Sequence, residues 1–135
     1  MAPLLSFLLL SLAFLPEYPA QVVRVIDGDT VSVHVYPWPG LIVETRIRLL
    51  GVDTPELRGK CEEEKRGARE ARASLAKLLP AGTPVRIRNI KQDKYAGRHD
   101  AEIRLEDGRS VAEVLIGAGL ARPYDGGTRA AWCLP

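Results

Sequence analysis

A chain of 135 residues with 46% hydrophobic composition is enough for one compact domain with a real core, and it excludes a disordered or low-complexity protein. The formal net charge of +2 permits a nucleic-acid partner without demanding one. Few aromatics beside many Val, Ile and Leu point to a small barrel or sandwich with some helix.

Met1 to Ala20 contains no Lys or Arg and is dominated by the apolar run from Leu4 to Leu15. That run is too short for a membrane span of roughly 20 residues but has the length of an export-signal core. Residues 1–20 are therefore expected to be a signal peptide and residues 21–135 the folded domain of a secreted or periplasmic protein. If the segment stays uncleaved, it would keep the protein on a membrane.

From Gln21 onward, Val22 to Ile26 forms a first strand closed by the turn Asp27-Gly28-Asp29. Thr30 to Val35 alternates with period two, as a half-buried strand does, and Pro37-Trp38-Pro39-Gly40 breaks it. Glu44 to Val52 is a third strand, with Ile47 and Leu49 on one face and Arg46 and Arg48 on the other. Glu62 to Leu79 reads as a helix whose apolar side carries Ala68, Ala71, Leu75, Leu78 and Leu79. Its three leading glutamates suit the positive end of the helix dipole.

Val85 to Ile90 and Ala101 to Leu105 follow as strands four and five. Ser110 and Glu113 then form a capping box for a short helix that Gly119 stops. Three strands, a helix, two strands and a helix is the order of a mainly β, α+β domain. It predicts a five-stranded OB-fold barrel rather than an SH3-like one, which would lack the long helix.

Three segments combine carboxylates with arginines: Asp27-Gly28-Asp29-Thr30, then Arg48 with Asp53-Thr54-Pro55-Glu56, then Asp93-Lys94-Tyr95-Ala96-Gly97-Arg98. Taken singly they are a turn, a loop start and a polar hairpin. Together they match what phosphodiester cleavage needs: oxygen ligands for a hard cation, a base for water and cationic groups for phosphate.

The segments Val25 to Val31, Arg48 to Glu56 and Asp93 to Arg98 resemble, in order and spacing, the three signatures of the staphylococcal nuclease (thermonuclease) family. The resemblance continues through Val111-Ala112-Glu113 and Ala118 to Ala121, covering Gln21 to Tyr124. It implies an OB-fold endonuclease, a Ca²⁺-dependent phosphodiesterase acting on DNA and RNA with little sequence preference and leaving 3′-phosphate ends. It also implies roles: Asp29, Asp53 and the Thr54 carbonyl as Ca²⁺ ligands, with Asp27 supporting them from behind. Glu56 would orient or deprotonate the water, Arg48 and Arg98 would bind the phosphate, and Lys94, Tyr95 and Tyr124 would contact the nucleotide.

Ala96 lengthens the third signature by one residue, and the chain stops soon after the second helix. The alternative is an inactive OB-fold module that only binds nucleic acid; retention of Asp29, Arg48, Asp53 and Glu56 argues against it. Cys61 and Cys133 are the only cysteines and, in an exported protein, a candidate disulfide that would pin the short tail. Neither has a histidine at metal-ligand spacing, so no zinc site is expected. Trp38 and Trp132, away from the signature loops, are read as packing residues, His34 as a strand residue, and His99 as a neighbour of Arg98 that could touch substrate without a catalytic role; a monomer without an obligate protein partner is the default.

Overall fold

A computed structural model describes residues 16–135. The apolar run from Leu4 to Leu15 lies outside the described residues. Five strands close a barrel in the order β1-β2-β3-β6-β5, where β1 is Glu17–Asp27, β2 Thr30–Trp38, β3 Leu41–Leu49, β5 Pro84–Gln92 and β6 Arg98–Leu105. Its pairs are antiparallel except β3 with β6, which is parallel. This is the mixed OB-type barrel that the element order predicts. Alternation decides the inside: Val31, Val33, Ile47, Leu49, Val85, Ile87, Ala101 and Ile103 fill it, and their neighbours face outward.

Helix α1 (Glu62–Leu78) closes one end of the barrel, burying Ala68, Ala71 and Leu75. Its N-cap is Cys61, with Glu62, Glu63 and Glu64 in the first turn. Helix α2 (Val111–Gly117) starts at Ser110, whose hydroxyl accepts from the Glu113 N–H at 3.4 Å, and buries Val111 and Leu115. Among the described residues no helix is long and apolar enough to cross a membrane.

Several boundaries differ from the sequence reading, each for a long-range reason. β1 begins at Glu17, inside the segment expected to be a leader: Ala20 is 3% exposed and pairs with both Val35 and Val85. β2 runs past Pro37 to Trp38 because β3 starts at Leu41 and pairs with it across a bulge. β3 ends at Leu49, and Val52–Asp53 forms a separate short strand, β4, paired with Arg122–Pro123 (β7). β6 starts at Arg98, so this arginine sits on a strand rather than in the preceding loop.

Candidate active site

The parallel β3–β6 pairing is what assembles the arginines. Arg46 lies opposite Arg98 and Arg48 opposite Asp100, and since alternate residues share a face, all four project from the same outer surface of the barrel. The extra Ala96 does not carry Arg98 out of this array. Gly97, at φ +73°, takes the left-handed turn that ends the loop, and its carbonyl accepts from the Arg46 N–H at 3.1 Å. The loop absorbs the added residue before β6 begins.

Asp93 anchors that loop. One oxygen accepts from the Tyr95 N–H at 2.8 Å and the other from Arg98 Nε at 2.9 Å. Burial opposes ionisation of Asp93, but the bonds from Arg98 and Tyr95 prevail and hold its carboxyl well below the usual range. Arg98 also stacks on the Tyr95 ring at 4.7 Å, and Lys94 lies 5.3 Å from that ring. Arg48, Lys94, Arg98 and Tyr124 line one cleft of about 450 Å³. Tyr95 does not line it but braces its edge. Tyr124 reaches the cleft because its N–H donates to the Gly51 carbonyl and its hydroxyl to the Gly127 carbonyl.

The acidic half of the site is built from two turns that meet. Bulges between Val22 and Asp27 swing the turn Asp27-Gly28-Asp29 toward α1, and the Asp29 carbonyl accepts from the Leu49 N–H at 2.8 Å. A Cβ on Gly28 would stand 2.8 Å from the Ala71 Cβ and 3.0 Å from Thr54 Oγ1, so only glycine allows this approach. Asp29 accepts from Thr54 Oγ1 at 3.0 Å and from Thr30 Oγ1 at 3.2 Å, with Arg48 Nη2 3.4 Å away. Arg48 also donates through Nη1 to the carbonyls of Leu49 and Val52, which fixes its guanidinium at the end of β3. Asp27 receives the Asp29 N–H, yet burial and the Asp29 charge push its own carboxyl up to about 6.

Asp53 is 2% exposed, and its Oδ1 accepts no well-directed hydrogen bond. Its charge is met by the chain's last segment. Arg129 Nη2 lies 2.6 Å from Asp53 Oδ1 and 3.5 Å from the Thr54 carbonyl, while Nη1 lies 2.7 Å from Glu56 Oε1. Trp132 Nε1 donates to Asp53 Oδ2 at 3.2 Å, and Arg122 stacks on the Trp132 ring at 3.5 Å. Partial burial works against the Arg129 charge, but its contacts to Asp53 and Glu56 outweigh that and raise its pKa above the ordinary arginine value.

Cys61 and Cys133 are joined by a disulfide across 72 residues of sequence. Buried Glu64 accepts from the N–H groups of Glu56 and Lys60, holding the loop that presents Glu56. Among the described residues, only Cys61, Glu64 and Cys133 bring three ligand-type atoms within 4.8 Å of one another, and both cysteines are spent in the disulfide. Asp29, Asp53 and Glu56 surround the end of β3 without being drawn that close; the Arg129 guanidinium lies between Asp53 and Glu56. Their donors are all oxygens, the ligand type a hard cation takes, and the buried Asp53 carboxylate carries a charge that needs a positive partner.

Sequence reasoning missed Arg129, Arg122, Asp100 and Trp132. Trp132, read as packing away from the signature loops, instead lies on Asp53. The pointer was the cysteine spacing: pairing Cys133 with Cys61 returns the tail to the loop carrying Glu56, bringing Arg129 and Trp132 with it. His99 faces elsewhere, its Nδ1 2.8 Å from Thr45 Oγ1, in an apolar groove on the barrel's flank.

The sequence profile of the staphylococcal nuclease homologue family matches residues 46–130, more than half the chain and spanning the clustered arginines, Asp53, Glu56 and Arg129. This chain belongs to that nuclease family. Proteins named "Uncharacterized endonuclease" from Escherichia coli O157:H7 and from Escherichia coli are each 29% identical to it over 123 residues, 91% of this chain and 72% of theirs. The "Uncharacterized protein MJ1439" of Methanocaldococcus jannaschii is 34% identical over 94 residues, covering 67% of this chain and 37% of that protein.

Proposed function

We propose that this chain is a Ca²⁺-dependent endonuclease that hydrolyses DNA and RNA with little sequence preference and leaves 3′-phosphate ends. The observation that carries the reading is the register of β3 against β6, which sets Arg48 and Arg98 diagonally on one outer face, lining a single cleft, with Arg48 against Asp29. Two guanidinium groups on one rigid sheet suit the oxygens of a single phosphodiester, where bidentate hydrogen bonds strengthen as charge grows in the transition state.

In this reading Asp29, Asp53 and the Thr54 carbonyl hold the ion, and Asp27 supports Asp29 through its backbone N–H. When bound, Ca²⁺ supplies positive charge beside a phosphate oxygen and the attacking water. Glu56, half exposed and paired with Arg129, takes the proton from that water. The water oxygen bonds to phosphorus, the bond to the 5′ oxygen breaks, and the leaving oxygen gains a proton from solvent. Lys94, Tyr95 and Tyr124 contact the nucleotide around the phosphate. Backbone contacts of this kind carry no base code, which accounts for low sequence preference.

The reading includes export through a signal that ends before Glu17, since β1 starts there; a structural disulfide belongs to an oxidising compartment. The direct test is digestion of denatured DNA with Ca²⁺ and with a chelator, using wild type and Arg48→Ala in parallel. Cleavage should require Ca²⁺ and fall by a factor of about 10²–10³ in the variant. A folded wild type that cleaves nothing with any divalent ion would instead mark a nucleic-acid-binding module.

A further inference from the structure

The Arg129 guanidinium touches the groups assigned above to the cation and its water: the Asp53 carboxylate, the Thr54 carbonyl and the Glu56 carboxylate. Its side chain is 40% exposed, so water reaches it, while its Asp53 partner is almost fully buried. Arg129 does not get there as a free surface side chain. The disulfide at Cys133 fixes the tail four residues further on, and Trp132 and Arg122 hold the intervening segment through Asp53 and the carbonyls of Ala130 and Ala131. A tethered charge of this kind acts at a high effective concentration. Arg129 also borders the cleft that holds Arg48 and Arg98, so a guanidinium leaving Asp53 has room to turn there.

We propose that Arg129 is a residue of the cation site itself, its guanidinium keeping the place that the metal ion takes and yielding it on binding. The proposal rests on the metal site described above and adds a built-in competitor to it. One positive group cannot share Asp53 Oδ1 and the Thr54 carbonyl with a divalent ion, because both would occupy the same contact positions and like charges at that distance repel. The apparent affinity for the ion is therefore the intrinsic affinity multiplied by the fraction of molecules in which Arg129 is away from the site. Seating also relieves the buried Asp53 charge in the metal-free protein, so the fold does not depend on the ion.

The test is calorimetric titration of the full, oxidised chain with Ca²⁺, comparing wild type, Arg129→Gln and Arg129→Lys. Arg129→Gln should bind Ca²⁺ about tenfold more tightly than wild type. Arg129→Lys keeps a positive charge on the same tether and should change affinity much less. Equal gains in the two arginine variants, or no gain in Arg129→Gln, would overturn the competitor and leave the metal site standing. Absence of Ca²⁺ binding in every protein, Arg129→Gln included, would overturn both. A second readout needs no variant: phenylglyoxal modification of Arg129 in wild type, followed by peptide mass spectrometry, should speed up on adding Ca²⁺. An unchanged or slower rate alongside calorimetric binding would show that the guanidinium never leaves.

Discussion

Single residues at this site are held in states they would not adopt in water. Asp27 has a folded-state value of about 6 against an ordinary 3.8, so the fold favours its protonated form. The stability from that preference is complete below pH 3.8 and disappears as pH rises through 6. Asp27→Asn keeps an oxygen for the Asp29 N–H but cannot ionise. In chelator, its melting temperature relative to wild type should therefore rise between about pH 5 and about pH 7.5; a constant gap across that range would refute the assignment. Gly28 is constrained by space. Gly28→Ala must push apart the turn, Thr54 and α1, and should cost about 1–3 kcal/mol in urea unfolding. An unchanged midpoint would mean that the close approach is not needed. Neither property is fully legible in Asp27-Gly28-Asp29 alone, which reads as an ordinary turn, because the burial of Asp27 and the crowding of Gly28 by Ala71 and Thr54 come from packing.

At the scale of elements, periodicity served well where strands are long. Thr30 to Val35 and Val85 to Ile87 alternate because one face of each fills the barrel, but past Arg88 an irregularity at Asn89, φ +54°, breaks the alternation and leaves Ile90 exposed. It served poorly where pairing is the only cause of strand structure. β4 and β7 have two residues each and exist because Asp53 and Arg122 meet. The first residues of β1 were hidden too, since Pro19 sits where β1 has a neighbour on β5 alone. That start has a consequence for processing. A chain beginning at Gln21 loses the pairing of Glu17–Ala20 with β5 and the buried Ala20, and should be less stable by about 2–4 kcal/mol. If the protein is exported, its mature N-terminus is expected at or before Glu17, as Edman sequencing of the secreted form would establish. A mature protein starting at Gln21 with unaltered stability would contradict this.

Across the whole molecule, the barrel presents its arginines on one sheet while the tail returns to close the acidic side. The Cys61–Cys133 disulfide makes that return permanent. In the chain-entropy model a loop of this length contributes about 4 kcal/mol, so reduction should lower the melting temperature by a clearly measurable amount. Equal melting curves with and without reductant, after mass spectrometry has verified reduction, would show that the tail is held by its other contacts. Those contacts concentrate on Asp53, through Arg129 and Trp132.

The sequence by itself determined the barrel class, the two helices and the identity of the carboxylates and arginines in the three signatures, because alternation, capping and short motifs are local properties. It also contained the cysteine pair. Only the tertiary structure decided that β3 runs parallel to β6, which places Arg48 and Arg98 on one outer face and neutralises the added Ala96. The same holds for Arg129: nothing local marks it, since its neighbours Thr128 and Ala130 form no pattern. A disulfide spanning most of the domain is what carries its charge onto Asp53. Local chemistry writes the parts of such a site into the chain, whereas their distances follow from which distant strands pair and where the tail is tied.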